Sequence, residues 1–162
     1  MKKLLIVDNS VVIINIIKDL FAVKNNFIVY VAKSLKEVEC LIEKEEFFAV
    51  ISNTILPDAL NGELIEVLKY NDIPTIILSS KIDSELMKVS NNLNIIDYVL
   101  KDSIYGLEYI HKLIELLVFI KGLNVLVVRE SRESSLRLKH ILESLFLNVK
   151  LVRNGTDALE TV

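Results

Sequence analysis

The feature that most constrains this chain is an alternation of short, β-branched apolar runs with longer amphipathic ones. LLIVD (4–8), FIVYVA (27–32), FFAVIS (47–52), PTIILS (74–79) and IIDYVL (95–100) have the length and composition of strands. Between them lie VVIINIIKDLF, SLKEVECLIEKE, GELIEVLKY, SELMKVSNN and the long SIYGLEYIHKLIELLVFIK, which carry helical spacing. Ser10 stands where an N-cap is wanted, and Ser34 with Glu37 has the offset of a capping box. Five strands alternating with five helices predict an α/β fold with a parallel sheet covered on both faces. The strands agree, being near-continuous apolar runs, as strands buried on both sides must be.

Residues 1–121 complete one such domain, and then the pattern restarts. NVLVVRESRESSLRLKHILESLFLNVKLVRNGTDALETV predicts a strand (124–128), a helix (132–146), a strand (148–152) and the start of another helix. In order and spacing it parallels residues 3–42, which open with KLLIVDNSVVIINIIKDLF, so residues 122–162 read as an internal repeat cut off after two strands. Half a βα domain leaves an open sheet edge and an uncovered helix face. The expectation is a piece of a longer protein, with completion of the half-domain by another copy as the alternative.

Hydrophobic residues make up 52% of the 162, enough to raise the question of a membrane span. The apolar runs are too short for one. Asn15 and Lys18 interrupt the first helix, and His111, Lys112 and Glu115 interrupt the last, where roughly 20 apolar residues are needed. MKKLLIVDNS has too brief an apolar run for a signal peptide. A cytoplasmic protein with no membrane partner is expected, its surplus apolar surface buried between domains or subunits. A net charge of −3 gives no basic face for nucleic acid, and the single Cys40 excludes an intrachain disulfide or a cysteine metal cluster.

In open α/β sheets, sites form outside the carboxyl ends of the strands. Strand 1 ends in Asp8-Asn9-Ser10, strand 3 in Asn53, strand 4 in Ser79-Ser80 and strand 5 in Leu100-Lys101-Asp102. An acid, an amide, a hydroxyl and a lysine at neighbouring strand ends resemble the receiver domain of two-component response regulators. LPDALNGE and DYVLK are the most specific matches. The resemblance covers residues 3 to about 120, and the restart at 124 resembles the opening of a second receiver. LPDALNGE further resembles the first of two tandem receivers preceding a GGDEF-type diguanylate cyclase. The resemblance implies a doubly wound, flavodoxin-like sheet of order 2-1-3-4-5 and a role in intracellular signal transduction.

In that family an acid pair after strand 1 holds Mg²⁺, an Asp after strand 3 takes the phosphoryl group, and a Ser/Thr and a Lys respond to it. Mg²⁺ wants oxygen ligands in near-octahedral array, usually carboxylates. Here Asp8 matches the first acid, Asn9 stands at the second, and Asn53 stands at the acceptor position. An amide oxygen is a poor nucleophile and forms no carboxylic-phosphoric anhydride. Ser79 and Lys101 are kept, but one carboxylate of three remains, which leaves at most weak Mg²⁺ binding at Asp8 and no other cofactor. In the second unit Arg129 and Glu130 stand where its acid pair would be, and Arg129 would repel a cation. The residues therefore imply a degenerate receiver, with no catalytic residue in this stretch. On the bland reading, Asp8 and Lys101 form an ion pair, Ser79 and Asn53 bond nearby backbone, Asp58 and Asn61 are turn residues, and His111 and His140 lie at surfaces or interfaces.

The last helix of the first unit is apolar beyond what covering a sheet requires. Ile104, Leu107, Ile110, Ile114, Leu117 and Val118 form one stripe, and Tyr105, Tyr109, Leu113, Leu116 and Ile120 widen it. Tyr105, Tyr109, Leu113, Leu116, Leu117 and Ile120 are expected to make a homo-oligomer or interdomain contact, or to meet a signalling partner or output domain. Two readings compete with a phosphorylation-independent interaction module. One is a regulatory first receiver of a protein whose acceptor Asp lies beyond residue 162. The other, of a different class, is a flavodoxin-like cofactor domain, but DNSVVII lacks the glycine and repeated hydroxyls that hold a flavin phosphate.

Overall fold

The computed structural model of the chain describes residues 1–22, 26–80, 95–101 and 104–161. In chain order the elements are β1 (Lys2–Val7), α1 (Val11–Ala22), β2 (Phe27–Ala32), α2 (Leu35–Ile42), β3 (Ala49–Asn53), α3 (Glu63–Tyr70), β4 (Thr75–Ser79) and β5 (Ile95–Leu100). They continue as α4 (Ile104–Ile120), β6 (Asn124–Val128), α5 (Arg132–Ser144), β7 (Asn148–Val152) and α6 (Gly155–Leu159). The helix expected over SELMKVSNN lies outside the described residues, as does Asp102. The chain forms two compact units, Met1–Ile114 and Glu115–Val162, each described by itself.

The first unit is a five-stranded, all-parallel sheet of order β2-β1-β3-β4-β5. This is the α/β, doubly wound order 2-1-3-4-5 that the resemblance implied. Leu4, Leu5, Ile6, Val7, Val50, Ile51, Ile76, Ile77 and Leu78 are all inaccessible to solvent, as central strands covered on both faces require. Because side chains alternate along a strand, Leu5, Val7 and Val50 pack on one side with Val38 of α2 and with Leu64 and Leu68 of α3. On α1, Ile14, Ile17 and Phe21 are buried at helical spacing, and the Phe21 ring meets His111 of α4 with centroids 5.0 Å apart. His111 is thus a partly buried packing residue between two helices.

Local chemistry sets the element ends. Ser10 accepts from the Ile13 amide through Oγ (3.4 Å) and from the Ile14 amide through its carbonyl (3.0 Å), opening α1. Ser34 Oγ accepts from the Glu37 amide (3.2 Å), but the Glu37 carboxylate reaches back to the amide of Lys33 (2.7 Å), not of Ser34. The expected capping box is therefore shifted by one residue on its return arm. After β3, Leu56 and Ala59 exchange backbone hydrogen bonds of 3.0 and 3.1 Å around Pro57-Asp58, and both side chains are buried. This turn directs Asp58 toward α2, where its carboxylate accepts from the amides of Leu35 (2.8 Å) and Lys36 (3.4 Å). The Leu35 amide holds the Asp58 carboxyl below the usual carboxylate range. Asp58 is more than a turn residue: it caps the first turn of α2, where a negative charge is favoured.

The second unit repeats the start of the first. β6 and β7 pair in parallel from Asn124↔Asn148 to Val128↔Val152, as β1 and β2 do from Lys2↔Phe27 to Val7↔Ala32. The Arg129 amide donates to the Val152 carbonyl (3.0 Å), where the Asp8 amide donates to that of Ala32 (3.1 Å). Ser131 precedes α5 as Ser10 precedes α1, with its carbonyl accepting from the Ser135 amide (3.1 Å). The two units thus share one strand-turn-helix plan, and the equivalence puts Arg129 in the place of Asp8. Val127 is buried, while Val128, Leu136, Ile141 and Leu159 are exposed.

One glycine carries a packing constraint. A Cβ on Gly106, in the first turns of α4, would meet the Leu100 carbonyl oxygen at 2.5 Å and Val99 Cγ1 at 3.2 Å. In an open helix, glycine to alanine gains about 1 kcal/mol. Here the added methyl meets backbone, and overpacking of this kind costs about 1–3 kcal/mol. Gly106→Ala is predicted to lower the melting temperature; a raised one would show that α4 does not approach the end of β5 so closely.

Candidate functional site

The sheet register decides which side chains share the carboxyl edge. Val7 stands opposite both Ala32 and Ser52, Asn53 opposite Leu78, and Ser79 opposite Leu100. Asp8, Asn53, Ser79 and Lys101 therefore leave four neighbouring strands at one edge, where an α/β sheet forms its site. The Lys101 amide donates to the Ser79 carbonyl (2.9 Å), which extends the β4–β5 pairing to the lysine itself.

The strongest interaction there is an ion pair. Lys101 Nζ lies 2.5 Å from Asp8 Oδ2, with Asp8 fully buried and the lysine side chain only 15% exposed. The Ser10 amide donates to Asp8 Oδ1 at 2.8 Å. Both carboxylate oxygens are thus engaged, one by a cation and one by the turn that opens α1. A buried charge is tolerated only when paired and hydrogen-bonded, and this one is both.

The other members are placed but carry little charge. Asn9 is exposed. Asn53 is half-buried, and its Oδ1 accepts from the amide of the next residue, Thr54 (2.8 Å). Its side chain is thereby turned onto its own loop. Ser52 Oγ donates to the Asn53 carbonyl (2.8 Å), and Ser79 is half-buried at the end of β4. In the second unit, Arg129 and Glu130 are both exposed.

The fit to Mg²⁺ is poor on this donor set. The ion would have one carboxylate, Asp8, whose oxygens already accept from Lys101 and the Ser10 amide. Binding there would have to displace an ammonium from a buried carboxylate and supply the remaining ligands from amides, backbone and water. Among the described residues, no three His, Cys, Asp or Glu side chains are grouped as a metal site would group them.

On α4, the stripe of Leu107, Ile110, Ile114 and Leu117 is buried. Of the residues expected to face outward, Tyr105, Tyr109 and Leu116 are exposed, and Leu113 and Ile120 are half-buried. Leu117 corrects the expectation: it is fully buried, because its spacing from Ile110 and Ile114 puts it on their side of the helix. Phe119, 78% exposed, joins the outward set, and its position three residues after Leu116 is the signal for it. Tyr109 OH donates to Asp97 Oδ2 (2.5 Å), which fastens α4 to β5, the edge strand of the sheet.

These contacts can be tested one at a time. Lys101→Met leaves a fully buried carboxylate without its cation, and breaking such a pair costs roughly 3–5 kcal/mol. Asp8→Asn leaves a lysine that can turn toward water, so it should cost less; denaturant titration that ranks the two the other way would contradict the pair as described. The hydrogen bond to Asp97 is the main reason that the Tyr109 phenol is pushed up to about 12 from 10.0. The stability it contributes is present below pH 10.0 and lost as the pH rises through about 12. An alkaline absorbance titration should show a late phenolate transition that Tyr109→Phe removes, whereas all five tyrosines ionising together would contradict it.

No protein-family model and no curated protein matches the chain. Solved structures do. A two-component system response regulator/GGDEF domain protein superposes with a TM-score of 0.88 at 27% identity, over 99% of this chain and 65% of the other. A second protein of that description gives 0.83 at 28% identity, again over 99% and 65%. The chain therefore spans just under two thirds of the length of these two. A chemotaxis response regulator of Vibrio cholerae gives 0.59 at 19% identity over 69% of this chain and 97% of its own, a likeness of fold alone. Among the described residues no helix is long and apolar enough to cross a membrane. The chain has the receiver fold of response regulators, and along 99% of its length it resembles response regulators of the GGDEF kind, as its strand-end residues implied.

Proposed function

We propose that the first unit is a degenerate receiver that passes signals by contact instead of by phosphorylation. It would serve as an interaction or dimerisation module of a cytoplasmic two-component response regulator whose longer chain carries a diguanylate cyclase. The observation that carries this reading is Asn53 at the acceptor position, its amide bonded to its own loop (2.8 Å) beside a carboxylate already neutralised by Lys101. The amide offers no nucleophile for a phosphoryl group, and the Asp8–Lys101 pair supplies the charge balance that a metal and an acyl phosphate would otherwise provide. Neither Mg²⁺ nor another cofactor enters this reading.

Support for the cyclase comes from the likeness to the two GGDEF domain proteins. Support for contact through α4 comes from its outward side, where Tyr105 and Phe119 are each 78% exposed and Leu116 is 52% exposed. Apolar surface of that kind marks an interaction site more often than it serves a monomer. The rival reading, a phosphorylatable partner unit regulated by the first, is weakened in the second unit because Arg129 takes the place of an acid.

The test is intact mass after incubation with Mg²⁺ and acetyl phosphate. The wild-type chain should gain no phosphoryl mass, and Asn53→Asp alone should not fully restore labelling, because Asn9 leaves the metal site short of a carboxylate and Lys101 already holds Asp8. Stoichiometric, hydroxylamine-labile labelling of either protein would overturn the reading.

A further inference from the structure

Ser10 and Ser131 open α1 and α5 in the same way, so the two units can be compared position by position from there. Three differences run in one direction. Arg129 stands where the first unit has Asp8, Ser134 where it has Ile13, and Arg137 where it has Ile16. Leu138 and Ile141 stand where it has Ile17 and Leu20, so those two positions stay apolar. Where the first unit has an acid and two packing residues, the second thus has two bases and a hydroxyl.

The fold gathers these residues. Arg129 follows the carboxyl end of β6, and Ser134, Arg137, Leu138 and Ile141 recur at three- and four-residue spacing on one side of α5. With Ser131 and Glu133 they line a cavity of about 350 Å³ in the second unit, within the size range of small-ligand sites. Its charge is positive, two guanidiniums against the one carboxylate of Glu133. Among the described residues no ion pair engages Arg129, Arg137 or Glu133. Ser134 Oγ donates to the Ser131 carbonyl (3.2 Å), whereas Ser131 Oγ accepts from none of the amides of the helix it precedes. The donors select the ligand. A guanidinium is a planar fork of N–H groups that matches the oxygens of a phosphate and stays charged at any working pH. Two of them balance a dianion and repel a metal ion.

We propose that this cavity binds a phosphate monoester that carries an apolar or planar body. Arg129 and Arg137 hold the phosphoryl oxygens, Ser131 Oγ donates to one of them, and the body lies on Leu138 and Ile141. Binding is non-covalent, and no bond to phosphorus is made or broken. The site uses neither α4 nor the Asp8–Lys101 pair, and therefore stands or falls apart from the function proposed above.

Phenyl phosphate is the probe, titrated into the nitrogen-labelled full chain at fixed ionic strength and above the second phosphate pKa of about 6. Amide resonances of residues 129–141 should shift and saturate at millimolar probe or below. Arg129→Gln and Arg137→Gln should each weaken binding at least about tenfold, as losing one charge-assisted hydrogen bond does. Arg132→Gln should leave it unchanged, because Arg132 is on the same helix but does not line the cavity. All three arginines are exposed, so the variants should keep the far-ultraviolet circular dichroism of the wild type. Benzoate, with the same ring and less charge, should bind at least about tenfold more weakly. Absence of a saturable shift would overturn the proposal. So would an equal loss with Arg132→Gln, which would mean a diffuse positive surface, and so would benzoate bound as tightly as phenyl phosphate.

Discussion

The structure of the site depends on one ion pair. Asp8 is delivered to the edge of the sheet by a central strand whose last four residues are fully buried, and a carboxylate there cannot remain unpartnered. Lys101 reaches it from the end of β5, 93 positions later in the chain, and the Ser10 amide takes the other oxygen. The pair is not what holds the fold together. Each fully buried Leu or Ile of β1, β3 and β4 contributes about 2 kcal/mol by burial, whereas a buried ion pair is near neutral against an apolar replacement. What the pair does is join the carboxyl ends of β1 and β5 and engage a carboxylate oxygen whose partner accepts from the Ser10 amide.

Much of this was legible in the sequence because the sheet is built from local, periodic signals. Short runs rich in β-branched and aromatic residues mark β2, β5, β6 and β7 at their observed bounds. The order of the strands came from the resemblance instead, since periodicity does not rank neighbours. What escaped depends on geometry that periodicity does not encode, only some of it remote in sequence. Asp58 caps α2 from 23 residues away, and nothing in PDALNG distinguishes a carboxylate that bonds its own turn from one that reaches another helix. Leu117 follows Ile110 by seven residues and Ile114 by three, a spacing that already marks the buried stripe, so its place was legible and counting it also with the outward residues was the error. The return arm of the capping box moves to Lys33 because Glu37 can reach either of two adjacent amides, and only backbone geometry chooses between them.

The internal repeat also gives the departures from the receiver pattern their physical sense. One backbone plan, a strand whose next residue bonds across to the neighbouring strand and whose serine opens a helix, occurs in both units. The same position carries Asp8 in the first and Arg129 in the second. The one backbone plan thus carries an exposed base in the second unit and, in the first, a buried acid paired with Lys101. Counting from Ser10 and Ser131, the buried Ile14 of α1 is matched by the buried Ser135 of α5, while the exposed Leu136 stands where the first unit has the exposed Asn15.

The central claim is that Asp8 is committed to Lys101. The most direct measurement is heteronuclear NMR of the Lys101 side-chain ammonium in nitrogen-labelled protein, assigned by its loss in Asp8→Asn and followed through a titration with millimolar Mg²⁺. A held, slowly exchanging ammonium whose resonance stays in place throughout is the predicted result. A resonance that shifts or vanishes as Mg²⁺ is added would show that the metal displaces the lysine, and that the pocket keeps the ion chemistry denied to it here.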